Sequence, residues 1–177
     1  MTGAQAPPNQ APPLEDFDAF GADAWLGAAI ERAGAAWIEP AASALGRFVG
    51  SAEGQQHARL ANRFTPELRT HDRTGERIDA VDYHPSYHAL MARAIESGLH
   101  STAWKRRDAG FSGRAVLFYL WNQLEQGTAC PVTMSFASIP IFARHALSIA
   151  GACARTGIDA NVMVTGHAVP CSSWFQR

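Results

Sequence analysis

The chain has almost no lysine: Lys105 stands alone among 15 basic residues, the rest being arginine. Sixteen acidic residues bring the formal charge to −1, so no net field draws the protein to nucleic acid or anionic lipid. The densest basic run, Lys105-Arg106-Arg107 behind Trp104, is too short for a binding stripe and reads as a solvated loop or helix end. Cysteine is also scarce. Cys130, Cys153 and Cys171 are odd in number and match no metal or redox spacing, which fits a reducing compartment. Long apolar runs are missing: the longest, Ala115 to Trp121, falls well short of the ~20 residues of a membrane span. The opening residues hold Pro and Gln and no early basic group, unlike a secretory leader. A soluble, cytoplasmic protein without a membrane partner is expected. Nor is there a phosphate cradle, because the glycines are scattered at helix ends and never follow a strand with dinucleotide spacing.

What the sequence does contain is helical patterning. Apolar residues make up 47% of the 177 and charged residues 18%, enough for one buried core with slightly few charges for its surface. A chain of that kind often turns part of its surface toward a partner domain or subunit. Residues 1–13, with Pro7, Pro8, Pro12 and Pro13, predict a loose arm. A first helix is expected from about Asp23 to Ala33, burying Leu26, Ala29, Ile30 and Ala33. A second opens at Pro40 and buries Ala41, Leu45, Phe48 and Val49. After Gly50, Ser51 caps a third helix that buries Leu60, Ala61 and Phe64 and ends before Pro66. From Leu68 to Tyr83 the pattern becomes extended around the turn Asp72-Arg73-Thr74-Gly75, which predicts a small β-hairpin. A helix starts at Pro85 with Tyr87, Leu90, Met91, Ala94 and Ile95 on its apolar face, and Gly98 ends it. Another spans about Gly113 to Gln126 and is apolar on most sides. Either it is the central helix or its second face awaits another domain; the surface from Val116 to Trp121 is the expected open face. Beyond Gly127, Pro131 opens a segment that Pro140 breaks or kinks, with a last helix expected from Ile141 to Cys153. An all-α helical bundle with a small β-hairpin excursion follows.

Few residues invite a chemical reading. His84 and His88 are four apart, which can set two metal ligands on one helix face, but Pro85 makes His84 a cap residue, so capping and packing are expected instead. Cys130 precedes a proline at a helix entry, where a thiol becomes more acidic, yet no base or orienting group can be assigned to it. Asp16, Asp18 and Asp23 cluster where dipole and capping interactions of the first helix explain them. Glu125, ending an otherwise apolar helix, is the one acid worth inspecting for an interior role, although exposure is the expectation. No catalytic, cofactor-binding or metal-binding residue can be assigned from this pattern.

Three stretches resemble the amino-terminal domain of the AidB-like acyl-CoA dehydrogenase family. They are Asn9 to Pro12 with the helix near Asp23; Pro66-Glu67-Leu68, the Asp72–Gly75 turn and Asp82-Tyr83-His84-Pro85-Ser86-Tyr87-His88-Ala89-Leu90-Met91; and Glu125-Gln126-Gly127 followed by Cys130-Pro131-Val132-Thr133-Met134-Ser135-Phe136-Ala137. Their order and spacing agree with the family over about residues 9–140.

The resemblance implies an amino-terminal helical domain of a flavoprotein whose family is linked to the adaptive response to DNA alkylation. In that family FAD lies mainly between a central β domain and a carboxy-terminal bundle, which also supplies the glutamate base. Family members are homo-oligomers, and DNA binding belongs to the carboxy-terminal region. None of those segments lies in this sequence. The expected organisation is an arm over 1–13, the AidB-like helical domain over 14–145, and a divergent tail over 146–177, frameshifted or disordered. Oxidoreductase activity on CH–CH bonds is therefore a family property that this chain alone is expected to lack, and no FAD is expected on it alone. Its partners would be the missing β and carboxy-terminal domains or full-length homologue subunits. Thr133, Met134 and Ser135 resemble the part of the domain nearest the acyl and flavin cavity and are the candidate lining residues. The alternative is an autonomous helical binding or oligomerisation module without catalysis.

Overall fold

The computed structural model describes residue 9, residues 11–106 and residues 108–144, the side chains of 142–144 excepted. The expected tail over 146–177, Cys153, Cys171, Arg107 and most of the expected last helix lie outside the described residues, as does most of the arm. Ala11, Pro12 and Pro13 of the arm are exposed.

Among the described residues the order is α1 (Ala24–Arg32), a 3-10 turn (Ala36–Ile38), α2 (Glu39–Gly50), α3 (Ala52–Arg63), β1 (Glu67–His71), β2 (Arg77–Asp82), α4 (Pro85–Glu96), α5 (Thr102–Lys105), α6 (Gly110–Leu124) and α7 (Ala129–Arg144). The helix ends follow local chemistry. Asp23 caps α1 by accepting from the Leu26 amide at 3.0 Å, and Ser51 caps α3 by accepting from Gly54 at 3.0 Å. His84 caps α4 in the same way, its Nδ1 accepting from the Ser86 amide at 3.1 Å, with Pro85 at the first helical position. Gly98, with φ +78°, lets the chain turn away after α4. The three early aspartates divide their work. Asp18 closes a turn onto the Phe20 and Gly21 amides, while Asp16 reaches across to the Ala52 amide of α3 instead of serving α1.

The bundle is wound around α6. This helix packs against α1, α2, α3, α5 and α7, and Leu117, Leu120 and Trp121 are fully buried. The core around them joins Ile30, Leu45, Val49, Leu90, Leu99 and Val132. Leading into α1, the extended segment Phe17–Ala19 lies on α2, its amides donating to Gly50 and Gly46 carbonyls at 3.3 and 3.2 Å. A Cβ at Gly50 would stand 1.8 Å from the Phe17 carbonyl oxygen, so only glycine permits this approach.

Several expectations need correction. The face of α6 from Val116 to Trp121 is not open, because the other helices cover it; only Tyr119 stands half out and Phe118 partly so. In α2 the buried alanine is Ala42, and Ala41 is exposed, one step of 100° having shifted the stripe. In α1 only Ile30 is buried, and Ala33 is exposed. Phe64 does not enter the core; it lies past the end of α3, stacked on the His84 ring. Pro140 does not break α7, which continues through it to Arg144.

The hairpin is almost wholly exposed. β1 and β2 pair antiparallel, Leu68 opposite Val81 and Arg69 opposite Ala80, with an irregularity between Arg69 and His71. Asp79, at φ +44°, supplies the extra residue on β2.

Candidate functional site

The junction of α6 and α7 carries the most organised polar chemistry among the described residues. Glu125, expected to be exposed, is buried there at 4% exposure. One carboxylate oxygen accepts from the Thr128 amide at 2.7 Å and the Thr128 hydroxyl at 2.6 Å. The other accepts from the Gly127 amide at 2.6 Å and from Asn62 of α3 at 3.3 Å. The indole N–H of Trp121 donates to Thr128 Oγ1 at 3.0 Å, completing the network. Burial alone would raise the Glu125 pKa. The donations from Thr128, Gly127 and Asn62 outweigh it and hold the carboxyl below its ordinary value. Every neighbour donates toward the carboxylate and none aims a substrate at it, so the site fixes the start of α7 and ties it to α3. The signal in the sequence was Glu125-Gln126-Gly127-Thr128, an acid three residues before a hydroxyl at a helix junction.

Thr133, Met134 and Ser135 follow on α7, and the structure sends them in different directions. Thr133 is half-buried, and its hydroxyl accepts from Arg114 Nη2 at 3.3 Å. Ser135 turns its hydroxyl back to the Pro131 carbonyl at 3.1 Å. Met134 points outward at 68% exposure. Two of the three polar or soft groups are thus satisfied internally, and Met134 alone faces out.

Beside Thr133 lies a cluster that the sequence reading missed. The Arg114 guanidinium lies 3.8 Å from the Phe136 ring centre and 4.7 Å from that of Phe118, and its Nε donates to the Leu99 carbonyl at 2.9 Å. Burial lowers its pKa from the ordinary value, though arginine remains charged at any physiological pH. Trp104 stacks on Phe136 at 5.0 Å and donates its indole N–H to the Phe136 carbonyl at 3.0 Å. Phe111 stands edge-on to both rings and is 60% exposed. Cation–π and edge-to-face contacts of this kind hold an aromatic surface in place without covering it.

The outer side of α7 extends that surface. Cys130, Met134, Ala137 and Ile141 are all exposed and fall at i, i+4, i+7 and i+11, one continuous stripe. Ala129 and Val132 occupy the inner side, in the core. Among the described residues, it is α7 and not α6 that presents an exposed apolar helix face.

The remaining sequence candidates separate. His84 is a cap stacked on Phe64, whereas His88 is exposed and stands edge-on to Tyr83 and Tyr87; the two do not converge. Lys105 and Arg106 are exposed, with Arg106 lying 4.5 Å from the Trp37 ring centre, so the basic run is partly spent on packing.

A family model described as the adaptive response protein AidB N-terminal domain matches residues 9–157. The chain belongs to that family. The match runs past Ile141, where the resemblance was expected to end. The putative acyl-CoA dehydrogenase AidB of Escherichia coli (strain K12) is 38% identical over 135 residues, which is 75% of this chain and 25% of that protein. A similar fold is seen in the solved structure of the Bd2924 apo-form, with a TM-score of 0.67 at 22% identity over 72% of this chain and 26% of that one. The chain thus spans about a quarter of the length of the relatives it matches. All-helical architecture with one small antiparallel hairpin agrees with this membership. No helix among the described residues is long and apolar enough to cross a membrane.

Proposed function

We propose that this chain serves as the amino-terminal helical domain of an AidB-like, FAD-dependent acyl-CoA dehydrogenase-type protein, forming a wall of the catalytic cavity and remaining inactive alone. The observation that carries this reading is the stripe Cys130, Met134, Ala137 and Ile141, continued by Phe111. A continuous exposed apolar helix face is what a domain shows when its natural cover lies elsewhere.

The described residues do not by themselves fit a flavin. FAD needs donors gathered around a diphosphate, and here Arg114 is turned inward onto Leu99 and Thr133 while the Ser135 hydroxyl is engaged with Pro131. Met134 offers an apolar contact suited to an acyl chain or a ring face, not an anchor. The flavin and the proton-abstracting base would come from β and carboxy-terminal domains, in the same protein or in a full-length homologue, with homo-oligomeric assembly and a cytoplasmic setting.

Purifying the 177-residue chain and titrating it with FAD tests the reading. The visible spectrum should show no stoichiometric bound flavin, and acyl thioesters should bleach none. A yellow, thioester-reducible protein would overturn it.

A further inference from the structure

The hairpin has an unused edge with a self-complementary pattern. Neither strand packs extensively on a helix, and all five residues of β1 are exposed. A lone two-stranded hairpin is marginal in water, and its two outer edges differ. The β2 edge is spoiled for pairing by the bulge at Asp79, a common guard against edge association. The β1 edge has no such guard: Glu67 to His71 runs without a positive-φ residue, and Pro66 lies outside the strand.

The charges on β1 point to what would cover it. Arg69 is paired with Asp82 on the adjacent strand, and Arg77 with Asp79 at 2.7 Å. Glu67 has no ion pair among the described residues. An antiparallel copy of β1 placed about a two-fold axis through Leu68 sets each Glu67 opposite the other copy's Arg69. Each arginine then lies between two carboxylates, and the unpaired acid gains a partner. On the opposite side of the sheet the same register aligns Val81, Leu68, the second Leu68 and the second Val81 in one apolar row, because Leu68 already faces Val81. A shift by one residue either way breaks this pattern: it pairs Leu68 with Arg69 or Glu67 with Leu68.

We propose that the β1 edge is a homodimerisation edge, joining two copies of this chain through antiparallel β1–β1 pairing centred on Leu68 into a four-stranded sheet. The inference does not depend on flavin chemistry or on the α7 face. A five-residue edge supports a small interface, so the association should be concentration-dependent.

The test uses the full chain with its three cysteines replaced by serine. Leu68→Cys should form a disulfide-linked dimer under mild oxidation, in proportion to the dimer seen by sedimentation velocity, while Val81→Cys should not. Arg69→Glu should shift sedimentation toward monomer and suppress the Leu68→Cys cross-link severalfold, and the swap Glu67→Arg with Arg69→Glu should restore both. Circular dichroism of each variant checks that the helices are retained, which the exposure of these side chains leads us to expect. Because hydrogen exchange needs no variant, it provides a second arm: the β1 amides should gain protection with rising concentration and the β2 amides should not. A chain that stays monomeric at all accessible concentrations, or that cross-links equally at positions 68 and 81, would overturn the proposal.

Discussion

Helices α6 and α7 are both rich in apolar residues, yet they live in different surroundings. α6 is sheathed by five other helices, with Trp121, Leu117 and Leu120 at zero exposure. α7 buries Ala129 and Val132 on one side and leaves Met134 and Ile141 at 68% and 60% exposure on the other. The same kind of sequence signal thus has two causes. In α6 the neighbours that explain its apolarity are within the described residues, whereas nothing among the described residues covers the outer side of α7. A helix apolar all round says that it will be covered, and only the packing says by what.

Substitutions that break this contrast should differ sharply in effect. Trp121→Ala removes the largest buried side chain together with the indole donation to Thr128, and should cost about 3–5 kcal/mol in a denaturant titration. Glu125→Ala leaves the Thr128 hydroxyl and two amides without their acceptor; a loss of about 1–3 kcal/mol is expected, with hydrogen exchange of the first turn of α7 rising more than that of α4. The acid limb of stability sharpens the point. The Glu125 carboxyl titrates lower in the folded chain than its ordinary value of 4.5, so its contribution is complete above that value and is lost as the pH falls through the lower folded value. Glu125→Gln should flatten that limb while lowering stability at neutral pH. At the small end, Met134→Lys with Ile141→Lys should change stability by no more than about 0.5 kcal/mol each, while reducing binding of a hydrophobic dye. A large destabilisation there would mean that α7 is covered from within.

Much of the fold was legible because its signals are local. Asp23, Ser51 and His84 with Pro85 mark helix starts by chemistry that involves only the next turn, and Asp72-Arg73-Thr74-Gly75 marks the hairpin in the same way. Asp72 closes that turn onto the Thr74 and Glu76 amides at 2.8 and 2.9 Å. Most misses are long-range. Glu125 is the exception in part: Gly127 and Thr128 supply three of its four donors from within three residues, and only the Asn62 contact comes from 63 residues away. The Arg114 cluster joins Leu99, Thr133 and Phe136, a meeting that no periodicity announces. Phe64 fits the stripe of α3, but the helix ends at Arg63 and its ring finds His84 instead. Among the candidate lining residues Met134 faces out, while Thr133 and Ser135 are turned to internal partners, a difference that their adjacency in the sequence does not reveal.

The outer side of α7 is the surface a partner domain would cover. Co-expressing this chain with a separate polypeptide carrying the β and carboxy-terminal domains of an AidB-like relative, and weighing the purified complex by light scattering, tests it most directly. We predict a defined complex that Met134→Lys with Ile141→Lys abolishes and that Trp25→Lys, altering a more exposed aromatic elsewhere, leaves intact. A complex equally indifferent to both changes would contradict the assignment of that face.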